Sequence, residues 1–317
     1  IDFLVSQETV PLFRDSFRAG EVLAAKNHWF GKSIKGWDQL REAVSLWALL
    51  RRKRYELAID FRGDLRNIIL MFLAGIPLRL GFGITGGGFL LTHQGSYDHT
   101  QHRVALCARL LQFCGQPFEL KPEPFSYPEE RKEEFRSRWG SVFADNRRRL
   151  LIHPSASCAS KQWPLERFRQ LIEILSRQAL GQLILIGTEA DKEAFALEAD
   201  GDKIVDMRGK TTLGDLPILI DQCKLFIGND SGPAHIAAAQ GKYVISIFSG
   251  TNRREAWHPW TTRLRVVEHA VPCSPCEART CPLGHHDCMH MITVEEVLRV
   301  LTSILDELSQ ARKGIPL

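Results

Sequence analysis

Leu225-Phe226-Ile227-Gly228-Asn229-Asp230-Ser231-Gly232-Pro233-Ala234-His235 reads as an apolar strand that runs directly into the start of a helix. Leu225 to Ile227 form the strand. Ser231 is placed to cap the helix, Gly232 lets a ligand approach the backbone, and Pro233 suits the first turn, where its missing N–H costs nothing. Such a junction offers backbone amides and the positive end of a helix dipole to an anion, and His235 adds a donor from the first turn. Taken alone, the stretch fits a phosphate site and a plain capped helix equally.

The same alternation of strand-length apolar runs with helix-period segments extends along all 317 residues, which is the pattern of parallel sheets covered by helices. The fold class is therefore α/β. In the first half, strands are expected near 1–5, 21–25, 57–60 and 79–81, with helices near 11–14, 37–52, 65–74, 102–114 and 129–139. The polar run Asp145-Asn146-Arg147-Arg148-Arg149 marks a boundary, giving domains 1–146 and 147–317. Strands near 150–153, 183–186, 203–206, 224–227 and 244–248 then alternate with helices near 165–177, 191–199, 213–222 and 233–239, and a final helix spans 294–308. Two doubly wound domains with a ligand in the cleft between them follow from this pattern. The chain opens on Ile1 already in a strand, so one upstream strand and helix are expected to be missing from the N-terminal domain.

Composition limits the function. With 44% hydrophobic and 25% charged residues, the chain has the make-up of a soluble globular protein, and a net charge of +4 favours an acidic ligand or an anionic membrane surface. No basic run with interleaved aromatics supports nucleic-acid binding. The longest apolar stretch, Ile68 to Ile76, is too short for a bilayer span and is expected to be a buried helix. Without a signal-peptide pattern, a cytoplasmic location is expected.

A second constellation is His153-Pro154-Ser155-Ala156-Ser157-Cys158-Ala159-Ser160-Lys161-Gln162-Trp163-Pro164, a loop of small residues between a strand and a helix. Its serines offer hydroxyl donors and Lys161 a mobile positive charge suited to a diphosphate, although a solvated turn stapled by Trp163 and Pro164 would look the same. Two anion loops at the C-terminal ends of parallel strands together suggest one diphosphate. Neither a dinucleotide G-x-G-x-x-G nor a P-loop is present.

These loops, together with Ala237-Ala238-Ala239-x-Gly241, Ile247-Phe248-Ser249-Gly250-Thr251, Asp60-Phe61-Arg62-Gly63-Asp64 and Gly86 to His93, resemble glycosyltransferase family 9, the ADP-heptose:lipopolysaccharide heptosyltransferases, and its heptosyltransferase II-like members in particular. The resemblance covers essentially the whole chain. It implies a GT-B arrangement of two Rossmann-like domains facing a central cleft, with the nucleotide sugar held by the C-terminal domain and the acceptor by the N-terminal one. By position, Ser157, Lys161, Ser231, Gly232 and His235 would contact the diphosphate and Asp230 the sugar hydroxyls, with Asp191 and Thr211 near the sugar or nucleoside. Arg62, Arg66, Arg79, His102 and Arg103 would meet an acidic lipopolysaccharide core at the cytoplasmic face of the inner membrane. The family inverts the anomeric centre by direct displacement, with a carboxylate as general base in a loop upstream of Ile1; within this sequence Asp60 and Asp64 are the remaining carboxylates in motif-like context. The alternatives are a related nucleotide-sugar transferase for another surface polysaccharide, a GT-B epimerase, and a non-catalytic nucleotide-sugar-binding remnant.

Cys273-x2-Cys276-x4-Cys281-x6-Cys288, beside His285, His286 and His290, leaves open either a structural zinc site or free thiols, because only the first pair has metal-ligand spacing. Cys107 and Cys114 read as core positions. Asp200-Gly201-Asp202 reads as a turn, and no metal cofactor is expected for transfer.

Overall fold

A computed structural model of the protein describes residues 1–14, 20–26, 29, 37–115, 120–198 and 200–313. It comprises two compact units, Ile1–Lys121 and Pro122–Leu317. In the first, β1 (Phe3–Ser6), α1 (Val10–Arg14), β2 (Val22–Ala25), α2 (Trp37–Lys53), β3 (Leu57–Asp60), α3 (Leu65–Leu73), β4 (Leu78–Gly81), β5 (His93–Gln94) and α4 (Arg103–Gln112) follow in order. β1 pairs with β2, and β3, β4 and β5 form a second sheet, every pair being parallel. Leu23 and Ala25 of β2, Leu46 and Leu50 of α2, and Ile68 and Met71 of α3 share one core. The apolar run from Ile68 is only half buried, contrary to expectation. Its helical period turns Ile68, Leu70 and Met71 inward but leaves Ile69, Phe72 and Leu73 38%, 46% and 54% exposed, because α3 lies in an outer layer with one face on the sheet.

The second unit contains α5 (Glu129–Trp139), β6 (Arg149–His153), α6 (Leu165–Arg177), β7 (Gln182–Leu185), α7 (Glu189–Ala194), β8 (Ile204–Asp206), α8 (Leu216–Asp221), β9 (Leu225–Asn229), α9 (Gly232–Ala239), β10 (Tyr243–Phe248), α10 (Arg254–Trp257), β11 (Leu264–Glu268), α11 (Asp287–His290) and α12 (Val294–Lys313). Ala199, the expected end of the helix from Asp191, lies outside the described residues. The strands form one parallel sheet of order β11-β10-β9-β6-β7-β8. β6, β7 and β9 are buried along their whole length, as near-continuous apolar strands covered on both faces must be. Trp163, Phe168, Leu171 and Leu175 pack from one side with Val297, Leu301 and Ile304 of α12, and the Trp163 indole donates to the carbonyl of Ile292 at 3.0 Å.

The units divide at 121/122 rather than at 146/147. α5 forms where its sequence predicts, but its buried Phe135 and its arginines belong to the second unit: Arg131 and Arg138 reach the buried carboxylate of Asp215 at 3.2 and 3.5 Å. Ahead of it, the amide of Phe125 donates to Gln240 Oε1 at 2.7 Å and Tyr127 donates to Asp221. The polar run at 145–149 leads into β6 inside the unit, where Arg149, the first residue of the strand, is buried and held by Asp145 and Gln182. None of the described helices is long and apolar enough to cross a membrane.

Candidate functional site

Within the second unit the chain runs outward from β6 through β7 to β8, then returns to the other side of β6 as β9. The connections leaving β6 and β9 therefore diverge at a topological switch point, where parallel sheets leave a crevice. The two loops singled out in the sequence leave from these strands. Gly228 permits the close pairing there, since a Cβ at that position would stand 2.6 Å from the carbonyl oxygen of His153. Fully buried Asn229 then joins the loops: its Oδ1 accepts from the amide of Trp163 at 3.1 Å, and its Nδ2 donates to the carbonyls of Pro154 and Ser155 at 3.1 and 3.2 Å.

Asp230, the next residue, gathers the charges. Lys161 Nζ lies 2.5 Å from its Oδ2, His235 Nε2 3.7 Å from its Oδ1, and Asn252 Nδ2 donates to it at 3.5 Å. Burial alone would raise the Asp230 carboxyl. The neighbouring His235 imidazole and the Lys161 ammonium outweigh that effect and hold it below the usual carboxylate range. Asp230 and Lys161 are largely buried, whereas the His235 side chain is 43% exposed. The result is an anion with two basic side chains fixed around it at the first turn of α9.

Ser231 occupies the N-cap position but does not cap with its side chain. Its backbone is extended, with φ −152° and ψ 166°, and its hydroxyl pairs instead with His153 Nδ1 at 3.1 Å, leaving the first-turn amides of α9 without a side-chain partner. Pro233 lies in that first turn as expected. A Cβ on Gly232 would meet nothing within 4 Å, so its open side borders free space, as ligand approach requires. Burial pushes the His153 imidazole down to about 4, against a smaller opposing effect of Asp191, so it is neutral at pH 7. His153, Asn229 and Asn252 carry structural parts of this site that the sequence reading gave no role. For His153 and Asn229 the available signal was a polar side chain at the end of an otherwise apolar buried strand.

The remaining expected donors separate. Ser160 is not a free donor: it is buried, its hydroxyl donates to the carbonyl of Ala278 at 2.5 Å, and its amide donates to the carbonyl of Arg279 at 3.1 Å. His286 Nε2 and Thr251 Oγ1 both reach the carbonyl of Ser160, and Arg279 donates to that of Ser157 at 3.2 Å. The cysteine-rich segment thus clasps the Lys161 loop. Among the described residues no group of three or more His, Cys, Asp or Glu is arranged to hold a metal ion, and all eight cysteines, including Cys273, Cys276, Cys281 and Cys288, are free. The backbone clasps hold the segment against the Lys161 loop. Asp191 forms a capping box with Thr188 at the start of α7. Burial would raise its carboxyl, but hydrogen bonds from Thr188 and Ser155 hold it low. Thr211 is partly buried beyond β8 and makes no hydrogen bond to the Asp230 cluster. Asp200 accepts from the amides of Lys203 and Ile204, a turn as expected.

In the first unit the candidate carboxylates have structural work. Asp60 is buried and accepts from the amides of Arg62 and Asp64 and from Asn67 Nδ2. Its carboxyl is raised, burial outweighing those hydrogen bonds. Asp64 caps α3 through the amide of Arg66 and binds the Arg66 guanidinium at two points, 2.7 and 3.0 Å. Arg62 stands beside this turn, 48% exposed and 3.9 Å from Asp64. The other acceptor candidates serve the fold: Arg79 donates to the carbonyls of Leu90, Ile76 and Pro77, His102 caps α4, and Arg103 stacks 4.5 Å from the Tyr97 ring. Cys107 is half-buried but Cys114 is exposed, because α4 ends at Gln112 and the chain turns away from the core.

Comparison with known proteins places this arrangement. Residues 43–286 match the sequence profile of glycosyltransferase family 9 (heptosyltransferase). The chain is 27% identical over 277 residues to lipopolysaccharide heptosyltransferase 3 of Escherichia coli K12, covering 83% of this chain and 77% of that one. It is 29% identical over 267 residues to lipooligosaccharide heptosyltransferase 2 of Campylobacter jejuni, covering 80% and 81%. Its fold matches the structure of E. coli ADP-heptose lipopolysaccharide heptosyltransferase II with a TM-score of 0.75 at 22% identity, over 98% of this chain and 90% of that one. The profile spans most of the sequence and both units, and the chain belongs to glycosyltransferase family 9, the heptosyltransferases.

Proposed function

We propose that this chain transfers a heptose from ADP-heptose to the inner core of lipopolysaccharide, with inversion at the anomeric carbon. The observation that carries the reading is the pairing of Lys161 and His235 around Asp230 beside a helix start that Ser231 leaves uncapped. A diphosphate there gains one ammonium, one imidazole donor and the positive end of α9, which is what a departing ADP needs as its charge develops. Ser157 and Gly232 would supply further contacts on the open side of the loops. Asp230 fixes the two basic groups, and Asn252 steadies it. Charge on the leaving group is met by these side chains, so the reading calls for no metal cofactor. The first unit would take the acceptor, with the 48% exposed Arg62 beyond the end of β3 offered to its acidic groups and Arg66 held by Asp64 beside it, in a protein working peripherally at the cytoplasmic face of the inner membrane.

The test is calorimetric titration with ADP. Each of Lys161→Ala and His235→Ala is expected to weaken binding by about 10-fold or more, in line with the roughly 1.5–3 kcal/mol of a hydrogen bond to a charged group. Unchanged affinity in both variants would overturn the assignment of the diphosphate.

A further inference from the structure

The outer layer of the first unit carries an apolar face that its own core covers only in part, at Trp47. Along α2, Trp37, Leu40, Val44, Trp47 and Arg51 follow one helical stripe at spacings of three and four, while Leu46 and Leu50 point into the core. Trp37, Leu40 and Val44 are 80%, 57% and 53% exposed. The indole N–H of Trp47 donates to the carbonyl of Leu73 at 2.9 Å, which joins this stripe to the end of α3, where Phe72 and Leu73 are also exposed. Scattered exposed apolar residues need no explanation, but a contiguous group led by a tryptophan does.

Basic side chains predominate around it. Arg41, Arg51, Arg52 and Arg54 are all exposed, and the last three border a hollow of about 740 Å³ with Trp47, Gly75 and the single acid Glu56. Arg51 also stacks 5.8 Å from the Trp47 ring. Glu42, on the other side of α2, accepts from the amide of Lys26. A tryptophan with aliphatic neighbours and a fringe of arginines is the composition of a helix face that lies in the headgroup region of an anionic bilayer. A second copy fits less well, since a two-fold contact sets the same patch against itself and brings arginines towards arginines.

We propose that the exposed face of α2, extended by the end of α3, docks on an anionic lipid surface, with Trp37, Leu40 and Val44 entering the headgroup layer and Arg41, Arg51 and Arg52 binding lipid phosphates. The proposal rests on the reading of a membrane-borne acceptor given above, and it assigns that contact to a definite face.

Co-sedimentation with vesicles of phosphatidylglycerol and phosphatidylcholine, free of any glycolipid, tests it against vesicles of phosphatidylcholine alone. The chain is expected to bind the anionic vesicles, more weakly at high salt, and not the neutral ones. Trp37→Ser with Leu40→Ser and Val44→Ser should reduce binding at least about 10-fold, and Arg51→Gln with Arg52→Gln about 25-fold, from roughly 1 kcal/mol per basic residue near the surface. Both variants should keep the wild-type melting temperature and ADP affinity; the arginine pair decides the matter should the triple variant fold poorly. No binding to anionic vesicles, or equal binding by both variants, overturns the proposal. So does a concentration-dependent dimer that the triple variant disrupts without vesicle binding. Because the vesicles contain no acceptor and ADP affinity is read separately, failure of docking and failure of the proposed transfer register in different assays.

Discussion

Replacing Asn229 with alanine removes the side chain that ties the two ligand loops together. Three hydrogen bonds disappear, from the amide of Trp163 and to the carbonyls of Pro154 and Ser155, at a position with no solvent exposure. A net hydrogen bond contributes about 0.5–1.5 kcal/mol, and a buried group left unpaired costs roughly 1–3 kcal/mol. Water entering the vacated volume would recover part of this, so a loss of about 3 kcal/mol is expected. For a unit of this size that lowers the melting temperature by about 6–12 °C. Differential scanning calorimetry measures the loss, and ADP titration should show weaker binding because the Lys161 loop is no longer fixed against Asp230. Asn229→Asp sharpens the comparison: it keeps an acceptor for Trp163 but turns both donations to carbonyls into repulsions, and should be no more stable than the alanine variant. A melting shift below about 2 °C with unchanged ADP affinity would refute the idea that Asn229 couples the loops.

Three further outcomes are expected. Ser231→Ala and His153→Gln should show a coupling of about 0.5–1.5 kcal/mol in a double-mutant cycle of urea denaturation, whereas a Ser231 that merely capped α9 would give additive losses. His153, lowered to about 4 in the folded chain, binds fewer protons there than when unfolded, so stability should fall as pH drops from about 6.5 to about 4, by roughly 3 kcal/mol in full. The lowered Asp230 carboxyl adds its loss only at more acid pH, below the ordinary carboxylate value, and His153→Gln should flatten the first decline; an unaltered slope in that variant contradicts the assignment. Elemental analysis of the purified chain should find zinc well below one equivalent, and a stoichiometric content would require a rearranged cysteine-rich segment.

The parallel α/β architecture was legible because buried parallel strands are written as unbroken apolar runs; β6, β7 and β9 are recoverable from that pattern to within a residue or two. Two-residue β5 and partly exposed β11 lack such a run and stayed hidden. Lys161, Asp230 and His235 were nameable as a group from the loops that carry them, but not the direction in which each points. Ser231 illustrates the limit: its position and type favour a cap, yet His153, 78 residues away in sequence, takes the hydroxyl. Ser160 is similar, since nothing near it announces the carbonyls of Ala278 and Arg279. Local chemistry fixes which groups are present, whereas long-range packing decides which of them remain available.

The attachment of α5 has a practical consequence. A chimera or isolated second unit cut at 147, where the polar run invites it, would discard Arg131, Arg138 and Phe135 and leave the Asp215 carboxylate facing an empty groove. A buried carboxylate stripped of its cations is among the costlier defects a truncation can introduce. A graft that exchanges donor preference between relatives should instead be joined before Pro122, so that the strap from Phe125 to Trp139 travels with the sheet it fastens.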